Sequence, residues 1–121
     1  MPTIQTKRVY ESILPEDGMC ILVDRIWPRG ISKEKIEKGV WLKDAGPSNE
    51  LRKWFNHDPA RWKEFKKAYF RELDSNPEVI SDFKSINSQK KQLTLLYSAR
   101  DTEHNQAIAL KEYLEKLLSS Q

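Results

Sequence analysis

Two short apolar runs constrain the fold of this chain most: Cys20-Ile21-Leu22-Val23, and Leu93-Thr94-Leu95-Leu96-Tyr97. The first is continuous and bounded by turn residues, which suits a strand buried on both faces. The second is the clearest strand in the chain. Residues 4–10 add a third, by their β-branched and aromatic content. Pro15, Asp17 and Gly18 make a turn after it. The triplet Val40-Trp41-Leu42 is a candidate fourth strand.

Helical spacing dominates the remainder. Ser32 opens a short helix, with Ile31 and Ile36 at the positions of a hydrophobic staple and Gly39 at its end. Ser48 caps a helix with Leu51, Trp54 and Phe55 on one face. Asp58-Pro59 starts the next, whose face is Trp62, Phe65, Tyr69 and Leu73. Ser75-Asn76-Pro77 starts a third, carrying Val79, Ile80, Phe83 and Ile86. Asp101 is expected to cap a long last helix with Ala107, Leu110, Leu114 and Leu117 on one face. Strands alternating with helices predict an α/β fold: a small, mostly parallel β-sheet covered by helices, in a single domain over residues 1–121. A chain of this length buries roughly two-thirds of its unfolded surface, enough for a true core.

Charge and cysteine usage narrow the function classes. The chain has 21 basic and 18 acidic residues, an excess too small to imply nucleic acid by itself. The one cysteine, Cys20, cannot form an intramolecular disulfide and sits in an apolar run, where a buried small hydrophobe is the plain reading. No apolar stretch approaches the ~20 residues needed to span a membrane, and the first residues lack the apolar region of a signal peptide. A cytoplasmic protein is expected.

Four segments carry residues with chemistry. In VDRIWPRG, residues 23–30, Asp24 leaves the end of a buried strand, where open α/β sheets gather ligands. Arg25 and Arg29 bracket Trp27 and Pro28, and an arginine fork suits carboxylate or phosphate. The same residues can equally form an ion pair that pins the loop. In LLYSARDTEHN, residues 95–105, Tyr97 and Ser98 end a strand, and His104 falls three residues after Asp101. Backbone N–H groups at a helix start favour anions, and the positive helix end favours a neutral acid/base histidine. Asp101 is as readily a cap as a reactant.

In LRKWFNHDPARW, residues 51–62, His57 and Asp58 join two helices, and Trp54 and Trp62 read as core. Lys63, Lys67 and Arg71 form an i, i+4, i+8 stripe, the pattern of a solvated helix face. In WLKDAGPS, residues 41–48, Lys43 and Asp44 follow a candidate strand and can reach the same rim. No glycine-rich phosphate loop, CxxC or nucleophile elbow is present, and the cofactor is left unknown. His57, His104 and one cysteine do not make a zinc set. Asp24 and Asp101 would share magnesium only if they met.

Taken in this order, VDRIWPRG, WLKDAGPSNELRKWFNHDPARW and LLYSARDTEHNQA resemble the short YeaO-like branch of the domain of unknown function 488 family. The resemblance spans roughly residues 8–118. It implies a compact α/β domain of bacteria and archaea with no established activity. The residues that match the motif are Asp24, Arg25, Trp27, Pro28, Arg29, Gly30, Lys43, Trp54, Phe55, His57, Asp58, Tyr97, Asp101, His104 and Asn105. Longer relatives are expected to carry cysteines where this chain has Tyr97 and Asn105, so a thiol mechanism at those positions is closed to it.

The expectation is a site for a small anionic ligand at the strand ends. Arg25 and Arg29 would bind the anion, with Trp27, Ser98, His57 and Lys43 around them. His104 would be the acid/base group, oriented by Asp101 or Asp24, with Tyr97 as donor, in a hydrolysis or transfer reaction if the protein is an enzyme. The alternatives are a nucleic-acid module using the basic stripe and a non-catalytic protein-interaction domain.

Overall fold

The computed structural model describes residues 3–36, 39–89 and 92–119. Four strands form one sheet in the order β1-β4-β2-β3: β1 is Thr3–Arg8, β2 Met19–Leu22, β3 Val40–Trp41 and β4 Gln92–Tyr97. All three pairings are parallel, with Ile4 beside Leu93, Cys20 beside Thr94 and Leu22 beside Leu96. The two apolar runs thus hold the two central positions, as strands covered on both faces require. The Val23 N–H continues the ladder onto the Leu96 carbonyl.

Strand alternation sorts the side chains into two cores. Ile4, Ile21, Val23, Leu93, Leu95 and Tyr97 face the helices. Val9, Cys20, Leu22 and Leu96 face the other way and are closed by Ile36, with Ile13, Trp27 and Ile31 packed against them. That second face carries no α-helix among the described residues. A polar network helps close it: the buried Asp17 carboxylate accepts from Lys7 Nζ at 2.7 Å, Gln5 Nε2 at 2.8 Å and the Leu14 N–H at 2.8 Å. The buried Thr94 hydroxyl donates to the Asp17 carbonyl. A 3-10 turn at Lys33–Ile36, with Ile36 buried at its end, stands where the sequence suggests a short helix. Residues 37 and 38 of that expected helix lie outside the described residues.

Four helices follow: α1 Asn49–Phe55, α2 Trp62–Asp74, α3 Pro77–Gln89 and α4 Gln106–Ser119. Ser48 Oγ accepts from the Leu51 N–H, Asp58 Oδ1 from Ala60 and Asn76 Oδ1 from Val79, so each expected start is capped. Phe55, Phe65 and Tyr69 pack in series, with Phe55 stacked on Phe65 at 4.3 Å and Tyr69 tilted against Phe65 at 5.7 Å. The buried Tyr69 hydroxyl donates to the Ala45 carbonyl at 2.5 Å. Trp54 departs from the expected core: it is exposed and carries the Arg61 guanidinium 5.2 Å over its ring. With helix α1 only two turns long, Leu51 and Phe55 fill its inner face and leave Trp54 outside.

The last helix also starts later than expected. Asp101 accepts from the Glu103 and His104 N–H groups and folds a separate turn. Asn105 caps α4 instead, with Oδ1 accepting from Ile108 and Nδ2 donating to the Asp101 carbonyl. Leu118, four residues after Leu114, is more deeply buried than Leu117. No helix among the described residues is long and apolar enough to cross a membrane.

Candidate functional site

The chain leaves the two central strands in opposite directions. After β2 it passes to the helix-free face through residues 24–36, and after β4 it enters α4 on the helical face. Such a divergence opens a crevice beyond the carboxyl ends of neighbouring strands. A cleft of about 780 Å³ lies there. Asp24, Arg25, Trp27, Arg29, His57, Ser98, Asp101 and His104 all line it. Tyr97 and Lys43 do not. Tyr97 points into the helical core, where burial raises its hydroxyl above the ordinary value. Lys43 lies in a 3-10 turn with its ammonium over the Trp41 ring, because the chain turns away from the rim there.

Asp24 is the deepest charged group of the cleft, 7% exposed. Its carboxylate accepts from Ser98 Oγ, across the ends of the two central strands, and from Gln106 Nε2 in the first turn of α4. Neither partner is a cation. Burial therefore dominates and pushes the carboxyl above its ordinary value, against the hydrogen bonds that favour the ionised form. The Asp24 carbonyl accepts from Trp41 Nε1, which ties the start of the loop to β3.

Arg25 is already engaged by the backbone. Its Nε donates to the Pro47 carbonyl at 2.8 Å and Nη2 to Gly46 at 2.9 Å, with Asp44 at 3.5 Å from Nη1. Gly46 permits this close passage: a Cβ there would lie 2.9 Å from the Val23 carbonyl oxygen and 3.2 Å from Arg25 N. Arg8, at the end of β1, repeats the grip on the carbonyls of Ala99 and Ser98. Both arginines thus brace the walls of the cleft.

Arg29 and Arg100 differ. They are exposed, line the cleft and make no side-chain hydrogen bond or ion pair among the described residues. Arg52 adds a further guanidinium from α1, bonded among the described residues only to Asn49 Oδ1, and its charge is felt at Asp24. Four arginines therefore face two aspartates around the cleft.

His104 Nδ1 lies 3.0 Å from Asp101 Oδ2. Hydrogen bonds from the Glu103 and His104 N–H groups hold the Asp101 carboxyl below its ordinary value, so the carboxylate is an acceptor and Nδ1 carries the proton. The ring stands edge-on to Trp62 at 5.4 Å. His104 precedes α4 rather than sitting in its first turn, so the carboxylate, not the helix end, sets its surroundings. His57 enters from the α1–α2 joint, where Asn56 and His57 both take positive φ, 46° and 55°. That left-handed pair turns the chain so that an exposed imidazole reaches the cleft. Trp27 lines the cleft too, its Nε1 bound to the Ile31 carbonyl.

Arg52, Arg100 and Gln106 also line the cleft, without any local signal that marks them in the sequence. Arg52 stands five residues before His57, and Arg100 and Gln106 flank the Asp101–His104 turn, so proximity to marked residues is their one legible trait. Among the described residues no group of three or more His, Cys, Asp or Glu side chains is placed to hold a metal ion.

The chain is 41% identical over 114 residues to the uncharacterised protein YeaO of Escherichia coli K12, covering 94% of this chain and 98% of that one. It is 37% identical over 111 residues to the uncharacterised proteins Mb3100c of Mycobacterium bovis and Rv3073c of Mycobacterium tuberculosis, covering 92% of each chain. No solved structure matches it. Residues 3–121 match the family DUF488-N3i, described as the inactive DUF488-N3 subclade, and the chain belongs to that family.

Proposed function

We propose that the protein binds a small phosphate- or carboxylate-bearing molecule in the cleft at the ends of β2 and β4, and binds it without turnover. The observation that carries this reading is the pair of guanidinium groups, Arg29 and Arg100, that face the cleft with no partner among the described residues. An unpaired arginine fork at the mouth of a crevice is a ready receptor for an oxyanion. Arg52 adds to the positive field, while Arg25 shapes the wall rather than meeting the ligand. The cleft volume falls within the roughly 300–1,000 Å³ of pockets that hold small organic ligands. The description of the family as inactive, and the absence of a thiol at Tyr97 and Asn105, favour binding over hydrolysis or transfer. The Asp101–His104 pair then serves as a hydrogen-bonding wall.

Calorimetric titration with phenyl phosphate tests the reading. Wild-type protein is expected to bind, and the Arg29→Ala/Arg100→Ala double variant to bind about tenfold or more weakly with an unchanged thermal midpoint, since each lost charge-assisted hydrogen bond is worth about 1.5–3 kcal/mol. Equal affinity in the double variant, or no binding by the wild type, removes the reading.

A further inference from the structure

Anion binding leaves one buried charged group without a task. Asp24 sits at the floor of the cleft, and a carboxylate there opposes an anion. Its partners, Ser98 and Gln106, are neutral. The arginines that would hold an anion, Arg29, Arg52 and Arg100, are exposed and so lie towards the rim. The cleft is therefore polarised, with a hydrogen-bond acceptor deep and donors outside. Its volume of about 780 Å³ also exceeds what a bare oxyanion fills, and Phe55 and Phe65 lend it apolar wall.

Resting on the anion-binding reading, we propose that Asp24 is a specificity residue: the ligand is an organic phosphate or carboxylate whose inner end carries an N–H or O–H donor, received by the Asp24 carboxylate while the arginines take the anionic end. The neutral donors already on Asp24, the hydroxyl and backbone N–H of Ser98 and the Gln106 amide, fix its orientation and leave one of the carboxylate's roughly four lone-pair sites for a ligand. A buried carboxylate with no cation partner is costly to keep ionised. A ligand donor relieves that cost, whereas a ligand lacking one leaves the acceptor desolvated and unmet. Burial displaces the Asp24 carboxyl upward against the hydrogen bonds that it already accepts. Discrimination of this kind is strong because the mismatched ligand buries an unpaired polar group.

Two probes that share the anionic end separate the possibilities: phenyl phosphate and para-aminophenyl phosphate, each titrated calorimetrically into the full chain. The amino compound is expected to bind about tenfold or more tightly than phenyl phosphate, the effect of one hydrogen bond to a charged group. In Asp24→Leu, which can accept no hydrogen bond, the preference is expected to vanish while phenyl phosphate binding persists. If both probes bind the wild type equally, the role of Asp24 is overturned and the anion site stands. If neither binds, both readings fall together. If Asp24→Leu does not fold, the wild-type comparison alone decides, because it needs no variant. A preference that survives in a folded Asp24→Leu overturns the assignment to Asp24.

Discussion

The Ser98 hydroxyl donates to the Asp24 carboxylate at 2.5 Å, joining the carboxyl ends of the two central strands across the floor of the cleft. The burial of this carboxyl carries a pH signature. Burial pushes the Asp24 carboxyl above its ordinary value, so the folded protein holds that proton more tightly than the unfolded chain. The resulting stability is present below the ordinary carboxylate value and is lost as pH rises through the folded one. Asp24→Asn cannot ionise, so its stability relative to wild type is expected to rise across that window. Urea denaturation in steps from about pH 3.5 to 7 spans it. Parallel curves for the two proteins would show that Asp24 is not displaced.

Asp17 is expected to behave with the opposite sign. The Leu14 N–H, followed by the Lys7 ammonium, holds its carboxyl below the ordinary value. Its contribution is present above the ordinary carboxylate value and is lost as pH falls through the folded one. Asp17→Asn should therefore flatten the acid limb of the stability profile, measured by the same urea series. An acid limb as steep as that of the wild type would contradict this.

Arg25 and Arg29 should separate cleanly although they stand only four positions apart. Arg25 grips the Gly46 and Pro47 carbonyls and is partly buried. Arg25→Ala is expected to cost about 1–3 kcal/mol in denaturant unfolding, because it strands those acceptors. Arg29 has no such partner, and Arg29→Ala is expected to stay within about 0.5 kcal/mol of wild type. Equal losses would mean that Arg25 is not a structural brace.

Tyr69 reaches 24 residues back along the chain to the Ala45 carbonyl, and is fully buried. Tyr69→Phe keeps the ring and its tilted contact with Phe65 but leaves that carbonyl unpaired. A loss of about 1–3 kcal/mol is expected from equilibrium unfolding. No loss would mean that another donor, such as water, replaces the hydroxyl.

His57 holds φ of 55°, directly after Asn56 at 46°. A left-handed conformation costs an ordinary residue roughly 1–2 kcal/mol, and glycine avoids it. His57→Gly is expected to raise the thermal midpoint by a few degrees, less the lost contact with Phe55, whose ring lies 6.5 Å away. A drop in the midpoint would show that the imidazole contributes more than the strain removes.

Much of the fold is legible because its signals are local. The capping oxygens of Ser48, Asp58 and Asn76 reach N–H groups two or three residues away, and the chain marks them plainly. Asp101 shows the limit of such signals. Asp101 and Asn105 both suit a cap, and the choice fell to Asn105 because it bonds Ile108 and the Asp101 carbonyl together. Trp54 shows another limit: helical spacing puts it beside Phe55, but a helix of two turns packs only a narrow face.

The sequence by itself determined the strands, the helices and the α/β class, since apolar runs and turn residues act over a few positions. It also marked most polar residues of the cleft by their place after strands and between helices. The tertiary structure alone decided their standing. Arg25 became a brace because its partners lie 21 and 22 residues away, whereas Arg29 and Arg100 were left open. Asp24 met Ser98 and Gln106 only because β2 and β4 became neighbours, 74 and 82 positions apart at those contacts. Strand order sets such pairings, and no spacing within a segment encodes them.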